Sequence, residues 1–146
     1  MMRLIASLAL VAVFAVTAVV SAPAEPLATP AKVRCLLVPA PLTRILRSSL
    51  AFSAGGQLVY SRAVKSPKVA NLYFISAQIR STDLGKKRPL GTWAVDKLDA
   101  TATASPLNSA ARAYSDLAAP DPGATKVTMA SAGATASQKC VTKLIK

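Results

Sequence analysis

Cys35 and Cys140 are the only cysteines in the chain, and an uncharged run from Leu4 to Val20, apolar except for Ser7 and Thr17, precedes both. The run follows Met1-Met2-Arg3 and leads into Ser21-Ala22-Pro23-Ala24 and then Glu25-Pro26. A short positive start, an apolar centre and a small-residue exit is the layout of a secretory signal peptide. Ala22 and Ala24 supply the small side chains that a signal peptidase pocket accepts, which places cleavage after Ala24 and makes residues 1–24 the leader. The alternative is an uncleaved anchor, since the run reaches the lower limit of roughly 17 residues that a spanning helix needs. The folded part is therefore expected outside the cytoplasm, secreted or tethered by its N-terminal helix. Thiols exported to an oxidising compartment pair, so a Cys35–Cys140 disulfide is expected to tie the start of the domain to its end. In the chain-entropy picture a loop of about 100 residues contributes roughly 4 to 5 kcal/mol.

Cleavage would leave about 120 residues, enough for one domain and too few for two. Residues 25–41, rich in Pro and Ala, read as an extended lead-in, and residues 42–146 as a single domain. The chain carries 18 Lys and Arg against 6 Asp and Glu, a net charge of +12, and the leader takes only Arg3 with it. Such a surface attracts anions through its long-range field. Outside a bacterial-type cell the polyanions on offer are wall polymers, anionic headgroups and stray nucleic acid, the last not an expected partner in vivo.

Between Pro41 and Ala54, Leu42, Ile45, Leu46 and Leu50 recur at helical spacing, with Arg44 and Arg47 off the stripe. That is an amphipathic helix begun at Pro41 and stopped by Gly55-Gly56. Gln57 to Lys65 and Leu72 to Arg80 read as strands joined by the turn Ser66-Pro67-Lys68, and Gly91 to Leu98 as a third strand carrying Trp93. Ser105-Pro106 reads as the cap and first turn of a helix along Leu107, Ala110, Ala111, Tyr114 and Leu117, ended by Pro120-Asp121-Pro122-Gly123. Thr125 to Met129 is a candidate short strand, and an Ala-rich helix carrying Cys140 is expected from Ser131. The fold class is α+β: a small antiparallel sheet of 3–4 strands, two or three helices packed on one face of it, and one disulfide.

The order A-V-K-S-P from Ala63, L-Y-F-I-S-A from Leu72, G-T-W-A from Gly91, L-N-S-A-A from Leu107 and S-D from Ser115, with a late cysteine, resembles small exported or membrane-tethered α+β domains of high-GC Gram-positive bacteria. The likeness runs from about Gly55 to Val141. It implies a compact α+β domain at the envelope, and it implies no activity. The basic loop at Lys86 and the basic C-terminus depart from that pattern.

The sequence contains no histidine, which removes the commonest general base, the serine triad and most zinc sites. Two distant cysteines are not a C-x-x-C redox pair. Asp96 and Asp99 at a strand end could form a carboxylate pair, and Ser61 or Ser66 with Lys65 a Ser–Lys dyad. Solvated strand-end charges and a turn between strands explain them more simply. No cofactor and no metal are expected. The cationic candidates for partner contact are Lys86, Lys87 and Arg88 in one loop and Lys139 and Lys143 on the last helix. The functional expectation is a secreted, basic, non-catalytic module that docks on an anionic wall polymer or membrane surface. The alternative is an inhibitor of a hydrolase, offering the loop Thr82 to Pro89 to a protein target.

Overall fold

In the computed structural model the residues described are 33–119 and 127–146. The leader 1–24, the lead-in as far as residue 32 and the terminator Pro120–Gly123 lie outside them. Among the described residues no helix is long and apolar enough to cross a membrane.

The chain forms β1 (Leu36–Leu37), α1 (Ala40–Ser48), β2 (Gln57–Lys65), β3 (Tyr73–Arg80), a 3-10 turn (Thr82–Leu84), β4 (Leu90–Val95), β5 (Ala104–Pro106), α2 (Ser109–Tyr114) and α3 (Ala134–Ile145). The strands build one antiparallel sheet in sequence order, β1-β2-β3-β4-β5. The α+β class and the disulfide are as expected, but the sheet has five strands rather than three or four. Both extra strands are short edges. Leu36–Leu37 pairs with Ala63 and Arg62 within the expected lead-in. Ala104–Pro106 pairs with Val95, Ala94 and Trp93 where a helix start was expected. Pro106 has no N–H to offer a further strand, so it suits a sheet edge. The cap of α2 is instead Asn108, whose Oδ1 accepts from Ala111 N at 2.9 Å and from Thr92 N at 3.1 Å. Its Nδ2 donates to Leu90 O at 2.7 Å, so one side chain starts the helix and fastens it to β4.

Three further boundaries differ from expectation. The first helix ends at Ser48, and Leu50 leaves it to form a bridge with Ser115. The strand bearing Trp93 stops at Val95. Val127 to Met129, the described part of the segment read as a short strand, is not extended into the sheet.

Helices cover both faces of the sheet; they were expected on one face, although the apolar start of the strand from Leu72 also reads as covered on both sides. Side chains alternate across a strand, and along β3 both sets are buried. Ile75, Ala77 and Ile79 join Trp93, Leu42 and Leu46 of α1 and Ala111 of α2 in one cluster. Phe74 turns the other way, into a cluster with Ala94, Leu107 and Ala134 of α3. The apolar run Tyr73-Phe74-Ile75 thus marks a strand buried on two sides.

The α3 side is thin. Only Ala134, Ser137, Cys140 and Val141 of that helix are buried, and full burial of one valine contributes roughly 1.5 to 3 kcal/mol. Two other devices hold the helix. Gly133, with φ +108°, brings the chain so close to Phe74 that a Cβ there would lie 2.8 Å from its Cδ2. The disulfide joins Cys35, just before β1, to Cys140, 105 residues later, with a Cα separation of 5.8 Å. This is the expected end-to-end tie, and it fastens the thinnest layer of the fold.

Candidate functional site

The strand directions sort the charged residues to the two ends of the sheet. Gln57 begins β2, Arg80 ends β3 opposite it, and Leu90 begins β4, so these three mark one end. The loop Gly85–Pro89, with Lys86, Lys87 and Arg88 all exposed, joins β3 to β4 there. Asp96 and Asp99 follow the far end of β4. Each carboxylate is occupied in its own loop: Asp96 accepts from Thr103 N at 2.8 Å, and Asp99 accepts from both N and Oγ1 of Thr101 at 2.6 Å. The two Thr101 hydrogen bonds hold the Asp99 carboxyl below its ordinary value. Ser66 likewise serves its turn, its Oγ accepting from Lys68 N and Val69 N. Asp96, Asp99 and Ser66 thus each close a local turn or loop, while Lys65 Nζ lies 6.0 Å from the centroid of the Tyr73 ring and Ser61 falls at the register shift of β2. Among the described residues no cluster of three metal-ligating side chains occurs.

At the basic end, Arg80 is held from two sides. Its Nε donates to Oε1 of the buried Gln78 at 2.9 Å, and its guanidinium lies 5.5 Å from the ring centroid of Tyr60. Tyr60 sits in a β-bulge where Tyr60 and Ser61 together oppose one residue of β3. Its φ of +58° is a left-handed conformation that costs a bulky residue energy. Bulges re-aim side chains, and this one leaves the ring 41% exposed beside Arg80. Among the described residues the two terminal nitrogens of Arg80 make no hydrogen bond.

Gln57 lines two grooves. One, of about 340 Å³, is lined by Arg80, Arg88, Ser81, Thr82 and Gln57 among others. The other, of about 520 Å³, runs between α1 and the edge of β2 and is lined by Thr43, Arg44, Arg47, Gln57 and Val59 among others. Arg44 and Arg47 share one helix face because they are three residues apart. Among the described residues neither lining contains a lysine or a carboxylate. Asp83, on the 3-10 turn, is nearby in sequence and takes a hydrogen bond from Ser53 Oγ at 3.2 Å.

The five cations expected to contact a partner fall in separate places. Arg88 lines the smaller groove, and its Nη1 folds back to donate to Gly85 O and Lys87 O, while its Nε and Nη2 make no hydrogen bond among the described residues. Lys86 and Lys87 are exposed on the same loop. Lys139 and Lys143 instead line a third groove, of about 440 Å³, beside the Cys35–Cys140 bond. Sequence reading singled out the Lys86-Lys87-Arg88 run because it is contiguous. It missed Arg80, Tyr60 and Gln57, which pairing and a bulge bring together. The one available signal was Arg44 and Arg47 lying off the apolar stripe of α1.

Comparison with known proteins found no match: no family model, no curated protein and no solved structure corresponds to this chain.

Proposed function

We propose that the protein is an exported, non-catalytic basic module that docks on an anionic partner at the bacterial cell envelope. The observation that carries this reading is the pair of arginine-lined grooves at Gln57, with no carboxylate among their described lining residues, on a chain of net charge +12. A surface of one sign, concave and polar, concentrates its field on a ligand of the opposite sign. The N-terminal apolar run and the cysteine pairing support export. The commitment of Asp96, Asp99 and Ser66 to loop closure supports a role without catalysis. Binding of the disulfide-bonded protein to purified wall polymer should be strong in low salt and weaken steadily as salt screens the charges. Binding that is absent at low salt, or indifferent to salt, would remove this function.

A further inference from the structure

The docking function proposed above leaves open which anion is recognised and where. We propose that the two grooves form one track, Arg44–Arg47–Gln57–Arg80–Arg88, which binds a phosphodiester-linked polyol polymer of the cell wall, successive phosphates being held by guanidinium forks.

Four features of the track point to this ligand. Its cations are all arginines, on a chain that also has lysines at Lys86, Lys87, Lys139 and Lys143. A guanidinium gives two parallel N–H donors to one oxyanion, whereas an ammonium is a point charge. Arg80 is also pre-organised: Gln78 and the Tyr60 ring fix its plane, so little rotamer freedom remains to be lost on binding. Neutral donors and acceptors line the same grooves, namely Thr43, Gln57, Ser81 and Thr82. Cations and neutral polar groups together suit a chain in which phosphates are separated by hydroxyl-bearing carbons. Finally, β1 pairs with β2 only at Arg62 and Ala63, so among the described residues the outer edge of Gln57–Val59, which lines the larger groove, has no ladder partner.

Two arginine-lined grooves that share Gln57 suit a repeating ligand better than a single anion. A lipid headgroup presents the same phosphodiester at a surface rather than as a strand, and the two sources separate experimentally.

The test uses the disulfide-bonded protein as recovered from its host, titrated at low salt with poly(glycerol phosphate), polyglutamate of equal charge, and phosphatidylglycerol vesicles. The polymer is expected to bind more tightly than either of the others. The variants are an Arg80→Lys/Arg88→Lys double, an Arg44→Lys/Arg47→Lys double, and a Lys139→Gln/Lys143→Gln double as a contrast. Each Arg→Lys pair keeps the net charge, yet loss of the forks should weaken polymer binding by about fivefold or more. The Lys→Gln pair removes two charges away from the track and should change affinity by less than about twofold at moderate salt. Circular dichroism and the thermal midpoint establish that each variant is folded. Equal polymer binding by the Arg→Lys variants, or equal affinity for polyglutamate or for vesicles, would overturn the track as a phosphodiester-polymer site. If the Lys→Gln pair alone weakens binding, docking stands and the site lies by the disulfide instead. If the unaltered protein binds none of the three, the docking function fails together with the track.

Discussion

Ser76 of β3 and Ser137 of α3 are fully buried and share a hydrogen bond of 2.7 Å, although 61 residues separate them. The bond belongs to a chain whose direction can be assigned. Ser137 Oγ donates to Ala134 O, so it must accept from Ser76; Ser76 then accepts from Thr92, whose oxygen accepts from Gln138 Nε2. Each hydroxyl donates once and accepts once, and α3 is joined to β3 and β4 without a large apolar side chain. Removing the middle link leaves buried partners unpaired. Ser76→Ala should therefore lower stability by about 1 to 3 kcal/mol, read from urea denaturation midpoints. A change within a few tenths of a kcal/mol would show that the chain of hydroxyls is incidental to the docking of α3.

The thin α3 layer explains why the disulfide falls where it does. Cys35–Cys140 anchors a helix whose buried face is made only of Ala134, Ser137, Val141 and Cys140 itself. Cys35→Ser/Cys140→Ser is expected to cost up to about 4 to 5 kcal/mol in the chain-entropy account. Amide exchange should quicken first in α3 and in residues 33–37, while β3 keeps its protection. Uniform loss of protection would mean instead that the sheet depends on the bond as a whole.

Gly133 and Gly55 both have positive φ, but their surroundings differ. Nothing lies within 4 Å of a Cβ built on Gly55, whereas at Gly133 it would press on Phe74. Gly55→Ala should cost roughly 1 kcal/mol, the backbone term alone. Gly133→Ala should cost that plus a further 1 to 3 kcal/mol or so for overpacking. Similar thermal midpoints for the two variants would show that Phe74 gives way freely.

Much of this fold is readable from the sequence because it rests on local patterns. The stripe Leu42-Ile45-Leu46, the run Tyr73-Phe74-Ile75 and the Ser66-Pro67 turn each announce their element. What could not be read depends on pairing between distant segments. Leu36-Leu37 and Ala104-Pro106 are too short to carry a strand period and are strands only because β2 and β4 offer them edges. Placement of α3 on the opposite face follows from Ser76, Thr92 and Ser137 being satisfied by one another, which spacing does not disclose. For the same reason the contiguous cations Lys86-Lys87-Arg88 stood out, while Arg80, placed opposite Gln57 by strand register, did not.

Asp99 provides a pH readout of the loop 96–103. Its folded pKa is depressed by the hydrogen bonds from Thr101. The linked stabilisation is present above the ordinary aspartate range, near 3.9, and is lost as pH falls through the lowered folded value. In an NMR titration the Thr101 amide shift should therefore move at a pH below that range, and in Asp99→Asn that step should vanish. A midpoint at or above the ordinary value would mean that the Thr101 contacts do not favour the carboxylate.

Tyr60 is where stability and binding are expected to part. Its left-handed backbone costs roughly 1 to 2 kcal/mol relative to glycine, and the contact with Arg80 returns about 0.5 to 1 kcal/mol at an exposed site. Tyr60→Gly removes both, so its folding stability should stay within about 1 kcal/mol of the original. Tyr60→Val keeps the strain, worsened by β-branching, and should be the least stable of the three. If the ring is retained in this conformation to orient Arg80, affinity for poly(glycerol phosphate) should follow a different order. Tyr60 should bind tightest, and the glycine variant should weaken despite its intact fold, with Tyr60→Phe restoring the contact. Parallel losses of stability and affinity across the series would make Tyr60 a structural residue of the bulge and nothing more.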